Sequence, residues 1–247
     1  MAKEYVLYNP LSGSCSADRL AQMVNADAEF CDITKLDGYA EFFVKLSRDD
    51  KIILCGGDGT INRFVNDTEG LCIKNEILYY PAGTGNDFAL DLGRKSADGP
   101  FPITEYLKDL PVVTVNGKTH HFLNGVGYGV DGYCCEVGDE LRKSSDKPVN
   151  YTSIAIKGLL FHYKPTRAKV TVDGQTHTYK KVWIAPTMNG RYYGGGMMPA
   201  PGQDRSASEK TLSIAVLHDS GKLKTLMLFP SIFKGKHVSH TEMVDVF

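Results

Sequence analysis

The chain has 247 residues, 42% of them hydrophobic and 23% charged, with a net charge of −1. That length allows one large or two small domains with proper cores, and the near-neutral balance excludes a global pull toward nucleic acid or anionic lipid. The six cysteines, Cys15, Cys31, Cys55, Cys72, Cys134 and Cys135, form no C-x-x-C pair, which argues for reduced thiols over a disulfide framework or a zinc site. No apolar run approaches the roughly 20 residues of a membrane span. The chain enters a strand almost at once, without a leader segment, so a cytoplasmic protein is expected.

The first expected strand is Tyr5–Tyr8, which ends in the turn Asn9-Pro10-Leu11-Ser12-Gly13-Ser14. Ser16 is placed to cap a helix in which Ala17, Leu20, Ala21 and Val24 recur at helical spacing. Glu29–Ile33 reads as a second strand, ending at Thr34, and Asp37 as the cap of a helix carrying Ala40, Phe43 and Val44. Lys51–Cys55 is a short apolar run of the kind a central parallel strand needs. It enters Gly56-Gly57-Asp58-Gly59-Thr60-Ile61-Asn62. The glycines let a bulky anion approach the backbone. Thr60 can cap a helix over Thr60–Val65, whose free N–H groups and dipole favour a phosphate. Asp58 is the odd member, because a carboxylate beside a phosphate requires a metal ion, a water or a sugar hydroxyl between them. Asp58→Asn is therefore expected to abolish function with little change in stability. The bland alternative is a tight turn whose Asp bonds its own backbone.

Glu76–Tyr80 is a fourth strand, running into Pro81-Ala82-Gly83-Thr84-Gly85-Asn86-Asp87-Phe88-Ala89; Asp87 could be a helix cap there. Strands alternating with helices imply a parallel sheet with helices on both faces. Ligands bind such sheets at the carboxyl ends of the strands, where three glycine- and asparagine-rich loops converge.

Beyond Pro111 the pattern changes. Val112–Val115, Asn116-Gly117 and Thr119–Leu123 read as a hairpin with a type I′ turn. Val170–His177 nearly repeats it, as a second hairpin with the same turn chemistry rather than a structural repeat. Val182–Pro186 and Leu212–Leu217 are further strands, Trp183 reads as core, and Asp131–Leu141 and Tyr151–Phe161 read as helices. The expected organisation is an α/β domain over residues 1–117 and a β-rich domain over 118–247.

The chain lacks G-x-x-x-x-G-K-[ST], H-R-D, D-F-G and G-x-S-x-G, which excludes a P-loop enzyme, a protein kinase and a hydrolase elbow. What it has is Asn9-Pro10-x-Ser12-Gly13, Gly56-Gly57-Asp58-Gly59-Thr60-Ile61-Asn62 and Pro81-x-Gly83-Thr84-Gly85-Asn86-Asp87-Phe88-Ala89. Together these resemble the catalytic domain of diacylglycerol kinases and related lipid kinases, the soluble bacterial members above all. The likeness continues through Phe122-x-Asn124-x-x-Gly127-x-Gly129-x-Asp131, Asn189, Gly194-Gly195-Gly196-Met197 and Ala200-Pro201.

The resemblance implies an α/β domain like that of phosphofructokinases and NAD kinases, a β-sandwich, and ATP between them. It implies that Asn9, Ser12 and Gly13 line the nucleotide phosphates. Gly56, Gly57, Asp58, Gly59, Thr60 and Asn62 would hold phosphates and, through water on Asp58, Mg²⁺. Gly83, Thr84 and Asn86 would form the facing wall, Thr34 would touch the nucleotide, and Asp58 and Asp131 would carry catalytic roles. Phosphoryl transfer needs charge neutralisation and positioning more than covalent help.

The implied activity is transfer of the ATP γ-phosphoryl group to a lipid hydroxyl, with diacylglycerol the first acceptor. The alternatives are an ATP-binding sensor without catalysis and an NAD kinase, the latter disfavoured by PAGTGNDFA. The implied partners are a membrane lipid reached by peripheral contact at the inner face, no nucleic acid, and a second copy in a homodimer. Lys157–Tyr163 is the candidate membrane contact, against the alternative of an ordinary core helix.

Two features depart from the family. The Asp-Gly expected after Ala200-Pro201, near a structural metal, is replaced by Gly202-Gln203-Asp204, with Asp204 or Glu209 as substitutes. The general-base Asp-Gly-Glu does not occur before Phe247. The expectation is a chain truncated ahead of that motif, or one whose chemistry is completed differently, that binds ATP but phosphorylates lipid very poorly, with an unpaired sheet edge that invites dimerisation.

Overall fold

The computed structural model describes residues 2–10, 16–144, 149 and 151–247. Two compact units divide the chain, Met1–Leu123 and Asn124–Phe247.

The first unit is built on strands β1 (Glu4–Tyr8), β2 (Glu29–Asp32), β3 (Lys51–Gly56), β4 (Glu76–Pro81) and β5 (Phe101–Pro102), in the order β2-β1-β3-β4-β5. The first four are mutually parallel. β5 runs antiparallel on β4, an edge common on otherwise parallel sheets. The helices are α1 (Ala17–Met23), α2 (Tyr39–Val44), α3 (Asp58–Asp67) and α4 (Asp87–Asp91). Alternation along the strands makes two apolar faces. Leu7, Ile52, Leu54, Ile77 and Tyr79 pack with Phe42, Ile61, Phe64 and Phe88 of α2, α3 and α4. Val6, Ile53, Cys55 and Tyr80 pack on the other face with Leu20 of α1.

Helix starts differ from expectation in two places. The residue before α2 is Gly38, with no side-chain cap. Asp32, not Asp37, is the capping acid here: its Oδ1 accepts the Thr34 N–H at 2.9 Å at the start of a 3₁₀ turn, Ile33–Lys35. α3 starts at Asp58 with Gly57 before it, so Thr60 is not its cap. Thr60 is instead buried in the first turn against Gly56, whose missing Cβ makes the room.

The hairpin of β6 (Val112–Val115) and β7 (Lys118–His121) has Asn116 and Gly117 at φ 51° and 76°, as a type I′ turn requires. It belongs to the first unit, so the division falls after Leu123 and not at residue 117. The reason is α3. Asn66 accepts the His121 N–H (2.9 Å) and donates to the His121 carbonyl (3.0 Å), and one turn earlier Asn62 Oδ1 accepts the Leu123 N–H at 3.0 Å.

The second unit holds β8 (Gly125–Val126), α5 (Val130–Ser144), α6 (Tyr151–Lys157) with a π turn at Gly158–His162, β9 (Thr166–Val172), β10 (Gln175–Ile184), β11 (Thr187–Met188), β12 (Ser213–His218), α7 (Lys222–Ile232) and β13 (Val244–Val246). Its strands pair in the order β8-β11-β12-β10-β9, with β13 also on β12. Val130, Cys134, Ile154, Leu159, Leu228, Phe229 and Ile232 of the helices pack on Trp183, Ile184 and Leu217. Trp183 is core as expected, and its indole donates to the Ser220 carbonyl at 3.1 Å. β13 pairs antiparallel with β12.

His237 is buried beneath the 3₁₀ turn Lys236–Ser239. Its Nε2 lies 3.0 Å from the Pro199 carbonyl, while Nδ1 is buried without a partner. Burial therefore pushes its pKa down. The unfolded chain takes up a proton near pH 6.5 that the folded one resists, so stability is full above that pH and is lost as pH falls through it.

Two outcomes follow. Asn66→Ala removes both bonds to His121 and should lower unfolding free energy by about 2 kcal/mol; an unchanged urea midpoint would contradict the pinning. The melting temperature of the wild type should fall from pH 7.5 to pH 5.5 more steeply than that of His237→Gln, as read by calorimetry.

Candidate active site

The parallel register sets the geometry. Tyr8 pairs with Asp32 and with Cys55, and Gly56 pairs with Pro81. The carboxyl ends of four strands thus lie side by side. Asn9, Thr34, the Gly56–Thr60 loop and the Gly83–Asn86 loop follow those ends directly. Ser12 and Gly13 lie outside the described residues. Thr34 is exposed, and its hydroxyl donates to Asp32 Oδ1 at 2.7 Å. That bond, ahead of the backbone one, holds the Asp32 carboxyl below its ordinary range.

The two glycine loops are tied to each other. The Gly56 carbonyl accepts the N–H groups of Ala82 (2.8 Å) and Gly83 (3.1 Å). The Tyr79 hydroxyl lies 2.9 Å from that carbonyl and 3.2 Å from Asn86 Oδ1. Asn86, left-handed at φ 53°, turns its side chain back into its own loop. It accepts the Gly83 N–H at 3.0 Å and donates to the Gly83 carbonyl at 2.8 Å. A Cβ at Gly57 would lie 3.2 Å from the Gly83 Cα, and one at Gly83 would run into the Gly57 Cα. Both positions need glycine because the two backbones touch.

Asp58 has partners that the sequence did not reveal. Its Oδ2 accepts the Asp87 N–H at 2.8 Å and its Oδ1 the Phe88 N–H at 2.7 Å. The carboxylate therefore caps α4 from a distance of 29 residues, satisfying N–H groups that a helix cannot pair internally. Asp87 is the first residue of α4 and is itself buried. The view that only a cation or water could face Asp58, and that its replacement would leave stability untouched, is corrected by these two bonds. Asn62 and Asn86 are likewise engaged with backbone, at Leu123 and Gly83.

Gly59 is different. A Cβ there would meet nothing within 4 Å, and its φ is not left-handed. Neither packing nor conformation requires glycine at the second position of α3, where N–H groups point outward. Close approach of a ligand would. Thr84 is exposed at the tip of the facing loop. The set thus fits an anion held by amides. Among the described residues no cluster of three or more His, Cys, Asp or Glu could hold a metal ion, so a cation here would be shared between Asp58, water and the phosphates themselves, as Mg²⁺ commonly is.

Asp131 stands in the first turn of α5, in the second unit. Its Oδ1 accepts the Tyr193 hydroxyl at 2.9 Å, and its Oδ2 is buried without a partner. Gly127 makes this placement possible, since a Cβ there would collide with the Asp131 side chain. Burial pushes the carboxyl up to about 7, against the opposing pull of the Tyr193 bond. Cys134, one turn on, is raised to about 12 by burial and by Asp131. Tyr193 carried no signal in the sequence; it enters the Gly194–Gly196 turn, all three glycines at positive φ, and exchanges backbone bonds with Met197. The turn is thus built, not loose.

Where a structural metal was considered, Asp204 is exposed and accepts the Ser206 N–H at 2.8 Å. The buried Arg205 donates to Asn124 Oδ1 at 2.8 Å.

Comparison with known proteins agrees with this geometry. Residues 3–111 match the diacylglycerol kinase catalytic domain, and residues 124–246 match the YegS C-terminal NAD kinase beta sandwich-like domain. A diacylglycerol kinase of Mycobacterium tuberculosis is 26% identical over 260 residues, covering 98% of this chain and 82% of that one. A diacylglycerol kinase of Bacillus subtilis is 25% identical, covering 99% and 83%. The fold matches a crystal structure of a diacylglycerol kinase from Bacillus anthracis with a TM-score of 0.62 at 23% identity, covering 99% of this chain and 83% of that one. With both units matched in order, the chain belongs to the diacylglycerol kinase catalytic domain family of lipid kinases.

Proposed function

We propose that this chain transfers the γ-phosphoryl group of ATP to a lipid hydroxyl, with diacylglycerol as acceptor and phosphatidic acid as product. The observation that carries the reading is Gly59, open to solvent at the start of α3 beside two loops locked together through Gly56, Gly57 and Gly83. Amides of Gly57 and Gly59 would hold phosphate oxygens, with Gly83, Asn9, Thr34 and Thr84 around them. Asp58 would keep α4 in place with two lone pairs and use others toward water around a cation. Mg²⁺, when bound, would neutralise charge on the phosphates.

In this reading Asp131 of the second unit is a further catalytic carboxyl, raised by burial to about 7.

No described helix is long and apolar enough to cross a membrane, so the lipid would be met by peripheral contact at the inner face of the membrane. Leu159 of the expected contact segment is buried, but Phe161 is 74% exposed. α7 adjoins it, with Lys222 Nζ donating to the Leu160 carbonyl at 3.1 Å. This helix shows Leu223 (71% exposed) and Met227 (65%) on its outer side, four residues apart and so on one face. Residues 151–172 and 220–241 contain eight lysines and arginines and no acid. Exposed apolar residues on segments that carry basic residues and no acid suit an anionic bilayer.

Two experiments test the reading. Asp58→Asn should cost about 1–2 kcal/mol of stability, or about 3–6 °C in Tm, by weakening the α4 cap. It should also lower kcat for diacylglycerol phosphorylation about a hundredfold or more; wild-type turnover would refute the assignment. Wild-type protein that binds ATP but phosphorylates no lipid would favour the ATP-binding sensor. The triple variant F161S/L223S/M227S should stay folded and lose about tenfold or more of its binding to phosphatidylglycerol vesicles. Unchanged sedimentation with those vesicles would remove this face from the account, and a dimer lost in the same variant would reassign it to a second copy of the chain.

A further inference from the structure

The first unit has a second concave site, away from the glycine loops. A cavity of about 700 Å³ opens beside the start of β4, lined by Lys74, Glu76, Leu92, Arg94, Phe101 and Tyr106 among others. β4 begins at Glu76 and ends at Pro81, from which the Gly83 loop continues. The cavity therefore lies at the opposite end of this strand from the proposed phosphate site. Its size is that of a pocket for a small organic molecule.

Its walls are fixed. Next to Lys74, the buried Asn75 amide donates to the Ser47 and Asp50 carbonyls, both at 2.8 Å. Past α4, the Arg94 N–H donates to the Ala89 carbonyl at 2.8 Å. Thr104, also in the lining, accepts the Ile77 N–H at 2.8 Å through Oγ1. Tyr106 stands edge-on to Phe88 with ring centroids 5.8 Å apart, and Phe101 edge-on to Tyr79 at 5.7 Å. The shape is thus set by the fold itself, which spares a ligand the cost of ordering it.

The charges are not balanced. Glu76 is paired with Lys51 at 3.3 Å, and Glu105, the other acid in the lining, with Lys108 at 2.6 Å. Neither of those lysines lines the cavity. Lys74 and Arg94 do, and among the described residues they have no acidic partner. The Arg94 guanidinium lies over the Phe101 ring, 5.8 Å from its centroid. A guanidinium stacked on a ring keeps its N–H edge for a carboxylate or a phosphate. Leu92, Phe101 and Tyr106 supply apolar wall beside it.

We infer that this cavity is a second ligand site, for a small organic anion that joins a flat apolar ring to a carboxylate or a phosphate monoester. Arg94 and Lys74 hold the anionic group, and the ring lies against the apolar wall. The site is independent of the activity proposed above.

The test uses the full chain and phenyl phosphate, with benzoate, inorganic phosphate and benzyl alcohol beside it, followed through the backbone amide resonances. At about 10 mM, a range suited to ligands of this size, phenyl phosphate or benzoate should shift Lys74, Glu76, Arg94 and Thr104 saturably. Saturation by phenyl phosphate alone assigns a phosphate ester, and by benzoate alone a carboxylate. Inorganic phosphate and benzyl alcohol, each with half of the chemistry, should bind about tenfold more weakly or worse. The double variant K74Q/R94Q, changed only at exposed side chains, should stay folded and lose about tenfold or more in affinity. Cavity resonances unmoved by either ring anion would overturn the inference. So would equal binding of inorganic phosphate or benzyl alcohol, or undiminished binding by the double variant. Shifts confined to Gly57 and Gly59 would put the probe at the phosphate loops, which overturns the second site and leaves the proposed function standing.

Discussion

The bond pair from Asp58 to the N–H groups of Asp87 and Phe88 is the constraint on which the first unit's site depends. A short helix like α4, five residues long, has little stability of its own. It is ordered because a carboxylate from the neighbouring loop satisfies its first amides and Phe88 fills the core beneath. Remove the carboxylate and the loop before α4 loses its fixed end, and with it the wall formed by Gly83 and Asn86. Because Asp58 holds α4 in place, a loss of activity on its replacement is to be read beside a stability measurement.

Much of the α/β half was legible because its signals are local. Apolar runs of four to six residues marked β1, β3 and β4, and Asn116-Gly117 marked the hairpin turn. What could not be read were bonds between residues far apart in the chain. Asn62 and Asn66 lie in a helix and look like ordinary polar surface, yet they bind His121 and Leu123, 55 to 61 residues away. That is why the division between the units was expected too early. α7 was missed for a different reason. Its apolar residues lie on opposite sides, as Leu228 inside and Met227 outside show, and Pro230 stands within it, so no helical period stands out.

For the site, the glycine loops were legible by composition, while the work of individual side chains was not. Thr60 and Asn86 looked like ligand-facing residues because their types suit caps and phosphates. Thr60 packs against Gly56 and Asn86 laces its own loop. At Gly59 neither the backbone nor the packing requires glycine. Tyr193 had no sequence signal at all; its meaning comes entirely from Asp131, 62 residues earlier.

The contact between Gly57 and Gly83 has a consequence for how this half of the molecule can change over generations. Two loops whose backbones touch, and which share the Gly56 carbonyl as acceptor, cannot drift independently. A side chain gained on one side would have to be answered by a withdrawal on the other, and both changes would first pass through a form in which neither loop fits. The pair is inherited as one object. New specificity in this chain therefore has freer ground at the exposed tips, Thr84 and Gly85, than at the glycines beneath them.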